Sequence, residues 1–235
     1  MTPARRGKTV AVLPVKRFGA AKQRLDNDLS EGTRRALAEA MVTDVLIALR
    51  RAKEVDEVLV VSGETTAVAL AAGYDAAAVV DDPEDAGHSA AALRGVDAAI
   101  DRGATRVVLV PGDCPALDPA ELDRLLADTR RLDADPARPS VIVVPDRHGD
   151  GTNALVLMPP DAIEPAFGPG SRERHERLAA DAGATCAAVD VPTLGLDVDT
   201  VDDLAALRVA LEDVRGGASH TRGLLARFGR VGGSR

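Results

Sequence analysis

The segment VKRFGAAKQRL at 15–25 carries Lys16, Arg17, Lys22 and Arg24 and no acid, a set suited to holding an anion. Two of the four lysines of the chain stand in it, and a compact ammonium is a good point-charge partner for phosphate. PGDCPAL at 111–117 places Asp113 directly after an apolar run, and LDVDT at 196–200 adds Asp197 and Asp199. Mg²⁺ takes one or two carboxylates and completes its shell with phosphate oxygens, so Asp113 with Asp197 or Asp199 forms a candidate metal set. Moving a nucleotidyl group puts negative charge on the attacked phosphorus, the attacking phosphate and the pyrophosphate that leaves, which calls for cations at all three. Lys16, Arg17, Lys22 and Arg24 with carboxylate-held Mg²⁺ would meet that need. On the residues alone a plainer reading stays open, in which the lysines are surface groups and Asp113 and Asp199 cap helices at 115–128 and 200–214.

Two glycine-containing segments add to the anion-handling inventory. HGDGTNAL at 148–155 offers the Thr152 hydroxyl and turn amides. FGPGSRERH at 167–175 leads through Gly168, Gly170 and Ser171 into a helix whose first N–H groups are free. His175 is expected on the face of that helix rather than at the chemistry, and Cys114 in a packing role. The sequence holds no GxxxxGK[ST], and no GxGxxG follows the first apolar run, so neither a P-loop nor the usual dinucleotide fold is indicated.

These residues need rigid elements to aim them. Apolar β-branched runs at 9–15, 58–63, 76–82, 106–113, 141–146, 153–158 and 187–192 predict strands. Helical spacing predicts helices over 31–52, 65–72, 88–102, 119–131 with Pro119 at its start, from about 172, and over 200–214 with Thr200 as N-cap. Alternating strands and helices give an α/β domain of three layers around a mostly parallel sheet. Ligands of such sheets collect beyond the carboxyl ends of the strands, where the charged segments above fall. The nucleotidyltransferase domain is expected over 9–214. Residues 215–235, rich in Gly and Arg with no acid, are expected as a flexible basic tail.

Composition narrows the partners. A hydrophobic fraction of 46% supplies a core, which excludes disorder. A net charge of −8 and 2% aromatics argue against nucleic acid. No apolar run is long enough for a membrane span, and two cysteines without a framework spacing fit a reducing compartment, so a cytoplasmic protein is expected.

The motifs K-R-x-x-x-A-K-x-R-L, GDCPAL, GTNAL, FGPGS and the final DVDT occur in an order that resembles the guanylyltransferases of coenzyme F-420 biosynthesis, the 2-phospho-L-lactate and phosphoenolpyruvate guanylyltransferase family. The resemblance spans about 9–207. It implies a glycosyltransferase-A-like nucleotidyltransferase fold, GTP and Mg²⁺ as nucleotide substrate and cofactor, and transfer of GMP to a small phosphorylated three-carbon acid. Carried over, Thr152, Gly168 and Ser171 match positions that hold the acid, Asp113 matches the metal-binding acid, and Lys16 and Lys22 match the triphosphate-facing loop. Relatives tend to have a Leu-Asn pair where this sequence has His88-Ser89, in the segment that meets the nucleotide. Phosphoenolpyruvate is the expected acceptor, because the Arg-rich, Lys-poor composition resembles that of GC-rich actinobacterial relatives; 2-phospho-L-lactate is the alternative. A homodimer, and contact with the downstream transferase that consumes the unstable product, are compatible with the resemblance. A molybdopterin cytidylyl- or guanylyltransferase is disfavoured by the lack of a Gly-rich first loop, and a catalytically silent nucleotide-binding protein by the retention of Asp113, Asp199 and Ser171.

Overall fold

A computed structural model describes residues 7–20, 22, 25, 29–74, 77–80, 87–132, 138–213 and 217–231. Seven strands, β1 (Thr9–Pro14), β2 (Glu57–Val61), β3 (Ala77–Val80), β4 (Arg106–Leu109), β5 (Ser140–Pro145), β6 (Thr152–Met158) and β7 (Thr185–Ala188), form one sheet in the order β3-β2-β1-β4-β6-β5-β7. Six strands run in one direction and β6 in the other, since β6 pairs antiparallel with both β4 and β5. The sheet is covered on both sides, which is why its strands read as unbroken apolar runs. Ala11, Leu13, Val58, Val60, Val108 and Ile142 face one side, toward α1 (Glu31–Arg51), α2 (Thr65–Gly73) and α4 (Pro119–Leu132). Val10, Val12, Leu59, Val107, Val141 and Leu155 face the other, toward α3 (His88–Asp101) and α5 (Ser171–Asp181). Each such Val or Leu contributes about 1.5–3 kcal/mol by leaving water. Gly95 lets α3 lie close on β1, because a Cβ there would meet Val12 Cγ1 at 2.2 Å.

Two expectations are corrected. The expected strand at 187–192 lies earlier, at Thr185–Ala188, and Asp197 and Asp199 sit in irregular backbone, not at a strand end. They reach Asp113 because the Val198 N–H donates to the Asp113 carbonyl at 3.2 Å. α4 begins at Pro119 as expected, with the Asp118 carboxylate taking the Ala120 N–H at 2.8 Å. Within the expected flexible tail, Ser219–Val231 forms a helix, α7, docked on α1. The buried Asp44 carboxylate of α1 accepts the His220 and Thr221 N–H groups at 3.1 and 2.8 Å, so one helix supplies the N-terminal cap of another. Leu225 of α7 joins Met41 of α1 and Leu207 and Leu211 of α6 (Val201–Asp213) in a third apolar cluster. α6 opens on Thr200 as expected: its hydroxyl takes the Asp203 N–H at 3.2 Å while Asp203 Oδ2 takes the Thr200 N–H at 2.7 Å.

Candidate active site

Strand order reverses at β1, with β2 on one flank and β4 on the other, and a crevice opens beyond the carboxyl ends of β1 and β4. A pocket of about 240 Å³ occupies it, walled by Lys16, Phe18 and Lys22 after β1, Met41 and Val42 of α1, His88 of α3, Gly112 and Asp113 after β4, and Asp199. The segment after β1 is pinned from the end of β2: Val15 N–H donates to the Val61 carbonyl at 2.9 Å, the Ser62 hydroxyl to the Val15 carbonyl at 2.8 Å, and Phe18 N–H to the Glu64 carboxylate at 3.2 Å.

The ammonium of Lys22 bridges two acids, at 2.6 Å from Asp113 Oδ2 and 3.0 Å from Asp199 Oδ1, with its side chain only 6% exposed. Lys22 adopts the left-handed backbone region, φ 58°, a strained placement for a non-glycine residue that is characteristic of working sites. Burial alone would lower its pKa, but the Asp113 and Asp199 carboxylates raise it above the ordinary lysine range. Burial pushes Asp113 up, yet the adjacent Lys22 ammonium holds it below the usual carboxylate range. Asp197 is raised by burial and by the Asp113 charge, in spite of the hydrogen bond that Asn153 Nδ2 donates to it at 3.1 Å. Burial holds His88 below the ordinary imidazole value, Lys16 adding to the shift and Asp113 opposing it. Asp113 is therefore paired with Lys22 and caps no helix, and the cap of α6 belongs to Thr200 rather than Asp199.

Asp203 stabilises the acid-bearing segment from behind. Its Oδ2 accepts the Asp199 N–H at 3.0 Å, and its Oδ1 meets Arg147 at 2.5 Å, which ties that segment to the turn before β6. The turn is organised by Asp146, whose carboxylate accepts the His148, Asp150 and Gly151 N–H groups. Thr152 follows at the start of β6. Asp150 joins the turn to α5, its carboxylate accepting the Gly170 N–H at 3.1 Å and its carbonyl the Arg172 N–H at 3.2 Å. Ser171 opens α5 at 1% exposure, and among the described residues its Oγ has no hydrogen-bond partner. Gly168 holds φ +114°, a region closed to most side chains, and its carbonyl accepts the Ser171 N–H at 3.0 Å.

The structure thus brings Lys16, Lys22, Asp113 and Asp199 to one pocket, sets Asp197 against Asp113, and gathers Thr152, Gly168 and Ser171 around the start of α5. Arg17 is exposed on the same loop as Lys16, and Arg24 lies outside the described residues. Among the described residues no three His, Cys, Asp or Glu side chains stand together as a ready metal cage. Cys114 is buried, its thiol donating to the Leu194 carbonyl at 3.3 Å and held high by burial, in keeping with packing. Among the described residues no helix is long and apolar enough to cross a membrane. The contacts of His175, His88 and Ser89 could not be read from the sequence. His175 is fully buried and bonded to Thr152, and Ser89 accepts the Phe167 N–H at 2.9 Å while His88 packs edge-on against the Phe167 ring. The recurrence of Ser171, His175 and Ala179 at intervals of four marks His175 as inward-facing.

A putative nucleotide-diphospho-sugar transferase from Desulfovibrio desulfuricans G20 has the same fold, with a TM-score of 0.67 and 19% identity over 94% of this chain and 95% of that one. Residues 9–228 match the family described as "Guanylyl transferase CofC like", and the chain belongs to that family. A phosphoenolpyruvate guanylyltransferase from Conexibacter woesei is 52% identical over 217 residues, which cover 92% of this chain and 95% of the relative. A 2-phospho-L-lactate guanylyltransferase from Methanothermobacter thermautotrophicus is 33% identical over 203 residues, covering 85% and 84%.

Proposed function

We propose that the protein transfers GMP from GTP to phosphoenolpyruvate, giving enolpyruvyl-2-diphospho-5'-guanosine and pyrophosphate, as a cytoplasmic step of coenzyme F-420 biosynthesis. The observation that carries the chemistry is the Lys22 ammonium held between Asp113 and Asp199 in the β1/β4 crevice. It behaves as a stand-in cation. Two carboxylates face one ammonium, and burial together with the Asp113 charge holds the nearby Asp197 carboxyl high, so the donor set fits a hard divalent ion such as Mg²⁺. Asp113 with Asp199 or Asp197 would hold that ion, which would supply charge neutralisation for the transfer.

The chain's own residues then position the reactants. Lys16 and Lys22 face the triphosphate, joined by Arg17 and Arg24, while Thr152, Gly168 and Ser171 hold the acid, whose phosphate oxygen attacks the α-phosphorus as the bond to the β-phosphate oxygen breaks. A phosphate dianion is already a competent nucleophile near neutral pH, so no side chain has to take a proton from it. Catalysis is orientation plus electrostatic stabilisation. The buried Ser171 hydroxyl, which has no hydrogen-bond partner among the described residues, supports an acceptor contact. The choice of phosphoenolpyruvate rests on the 52% identical relative. The test crosses GTP, ATP and CTP with phosphoenolpyruvate and 2-phospho-L-lactate, reading pyrophosphate release and the mass of the adduct. GTP with phosphoenolpyruvate is expected to dominate; a predominantly lactyl product would move the acceptor assignment, and equal turnover with ATP would remove the guanylyl one. Ser171→Ala is expected to raise the KM for phosphoenolpyruvate about tenfold and leave that for GTP unchanged.

A further inference from the structure

His175 lies in the second turn of α5 and is fully buried. Its Nε2 accepts the Ala166 N–H at 2.9 Å, and its Nδ1 lies 3.0 Å from Thr152 Oγ1. A ring nitrogen that accepts a backbone N–H carries no proton, so the proton of the neutral imidazole is on Nδ1 and is donated to the Thr152 oxygen. A hydroxyl has one proton and two lone pairs. With one lone pair taken by Nδ1–H, the Thr152 proton has to turn away from the ring, and the hydroxyl becomes a donor directed away from His175. The same ring fixes its other contact by holding the backbone at Ala166, two residues before Gly168. Its edge-on contact with Phe167, at 5.3 Å between centroids, closes that side. Ser171 is one turn earlier on the same buried face of α5. One imidazole therefore joins the three elements that carry Thr152, Gly168 and Ser171.

We propose that His175 is a positioning residue for acceptor recognition: by donating from Nδ1 to Thr152 and accepting at Nε2 from Ala166, it presets the Thr152 hydroxyl as a donor to the charged oxygens of the acid. This rests on the reading of Thr152, Gly168 and Ser171 as the acceptor site. The group touching the ligand is Thr152, and His175 acts through it.

The test is a double-mutant cycle read as KM for phosphoenolpyruvate against KM for GTP, with thermal melting alongside. Thr152→Val and His175→Phe are each expected to raise the phosphoenolpyruvate KM on the order of tenfold, since each removes or misdirects a hydrogen bond to a charged ligand, with the GTP KM unchanged. Added to Thr152→Val, His175→Phe is expected to raise it by less than about twofold more, because its effect runs through the missing hydroxyl. His175→Asn puts an amide nitrogen where Nδ1 stood; it keeps the donor to Thr152 and is expected to stay within about threefold of the parent KM while melting lower for want of the Ala166 contact. If His175→Phe does not fold, the comparison of His175→Asn with Thr152→Val decides the matter. Equal rises in the two would overturn the proposal, as would additive losses in the cycle. Unchanged KM in Thr152→Val would overturn it together with the acceptor assignment, whereas a rise in Thr152→Val with none in His175→Phe would overturn the role of His175 alone.

Discussion

Replacing Lys22 with Met removes the cation between Asp113 and Asp199 and keeps most of the side-chain volume. At an effective dielectric near 20, an ammonium 2.6 Å and 3.0 Å from two carboxylates gains about 6 kcal/mol from each before solvation is counted. Desolvating an ammonium only 6% exposed takes back several kcal/mol, and Asp199, at 45% exposure, is partly screened by water. The net loss on breaking the pair should fall near 3 kcal/mol, the lower end for buried pairs. In a domain of this size that lowers Tm by about 6–12 °C. The variant is then titrated with MnCl₂ in the absence of nucleotide. With the ammonium gone, a divalent cation meets two uncompensated carboxylates, and at a hundred times its Kd it restores about 2.7 kcal/mol. In the parent the same ion has to displace Lys22, so its effect on Tm should be clearly smaller. The reasoning fails if Lys22→Met melts within a degree or so of the parent, or if Mn²⁺ shifts both proteins equally.

Asp113→Asn keeps shape and removes charge; turnover should fall on the order of a hundredfold or more with the fold intact by circular dichroism, and near-parental turnover would dismiss Asp113 as a metal ligand. His175 is pushed down to about 4 by burial, with Arg174 adding to the shift. The unfolded chain therefore takes up this proton first as pH falls from about 6.5, and stability should drop between about pH 6.5 and 4 by at most about 3 kcal/mol. Denaturant melts should show that slope in the parent and a correspondingly smaller one in His175→Phe. Asp44→Ala leaves the first N–H groups of α7 uncapped and should cost about 1–2 kcal/mol, with faster proteolytic cleavage within 219–231 as its signature.

Local signals carried much of the architecture. VAVL, VLVV and VVLV announce strands buried on both faces, and a carboxylate directly after such a run, as at Asp113, is aimed by the sheet itself. The bounds of β7 are hard to read because AAVDVP at 187–192 overlaps TCAA and adds two β-branched valines that the strand itself lacks. The position of Asp197 and Asp199 depends on the Val198–Asp113 backbone bond, a contact between distant segments that no window of sequence contains. α7 reads as a tail because glycine and arginine are frequent in it, although Ala218, Thr221 and Leu225 stand at helical spacing and are all buried. His175 shows the same limit: its periodicity marks it as inward-facing, but its bond to Thr152 joins a helix to a strand and exists only once both are packed.

The docking of α7 on α1 sets a timetable for biosynthesis. Asp44 and the His220 N–H it accepts are 176 residues apart in the chain, so at roughly 5–20 residues per second a ribosome needs about 10 to 35 seconds to supply the second after the first. Over that interval Met41, which both walls the pocket and belongs to the cluster completed by Leu225, lacks part of its cover on a nascent helix. Newly made chains should pass through a species with the sheet formed and this flank of α1 bare, a surface for chaperones to engage before the pocket wall is braced.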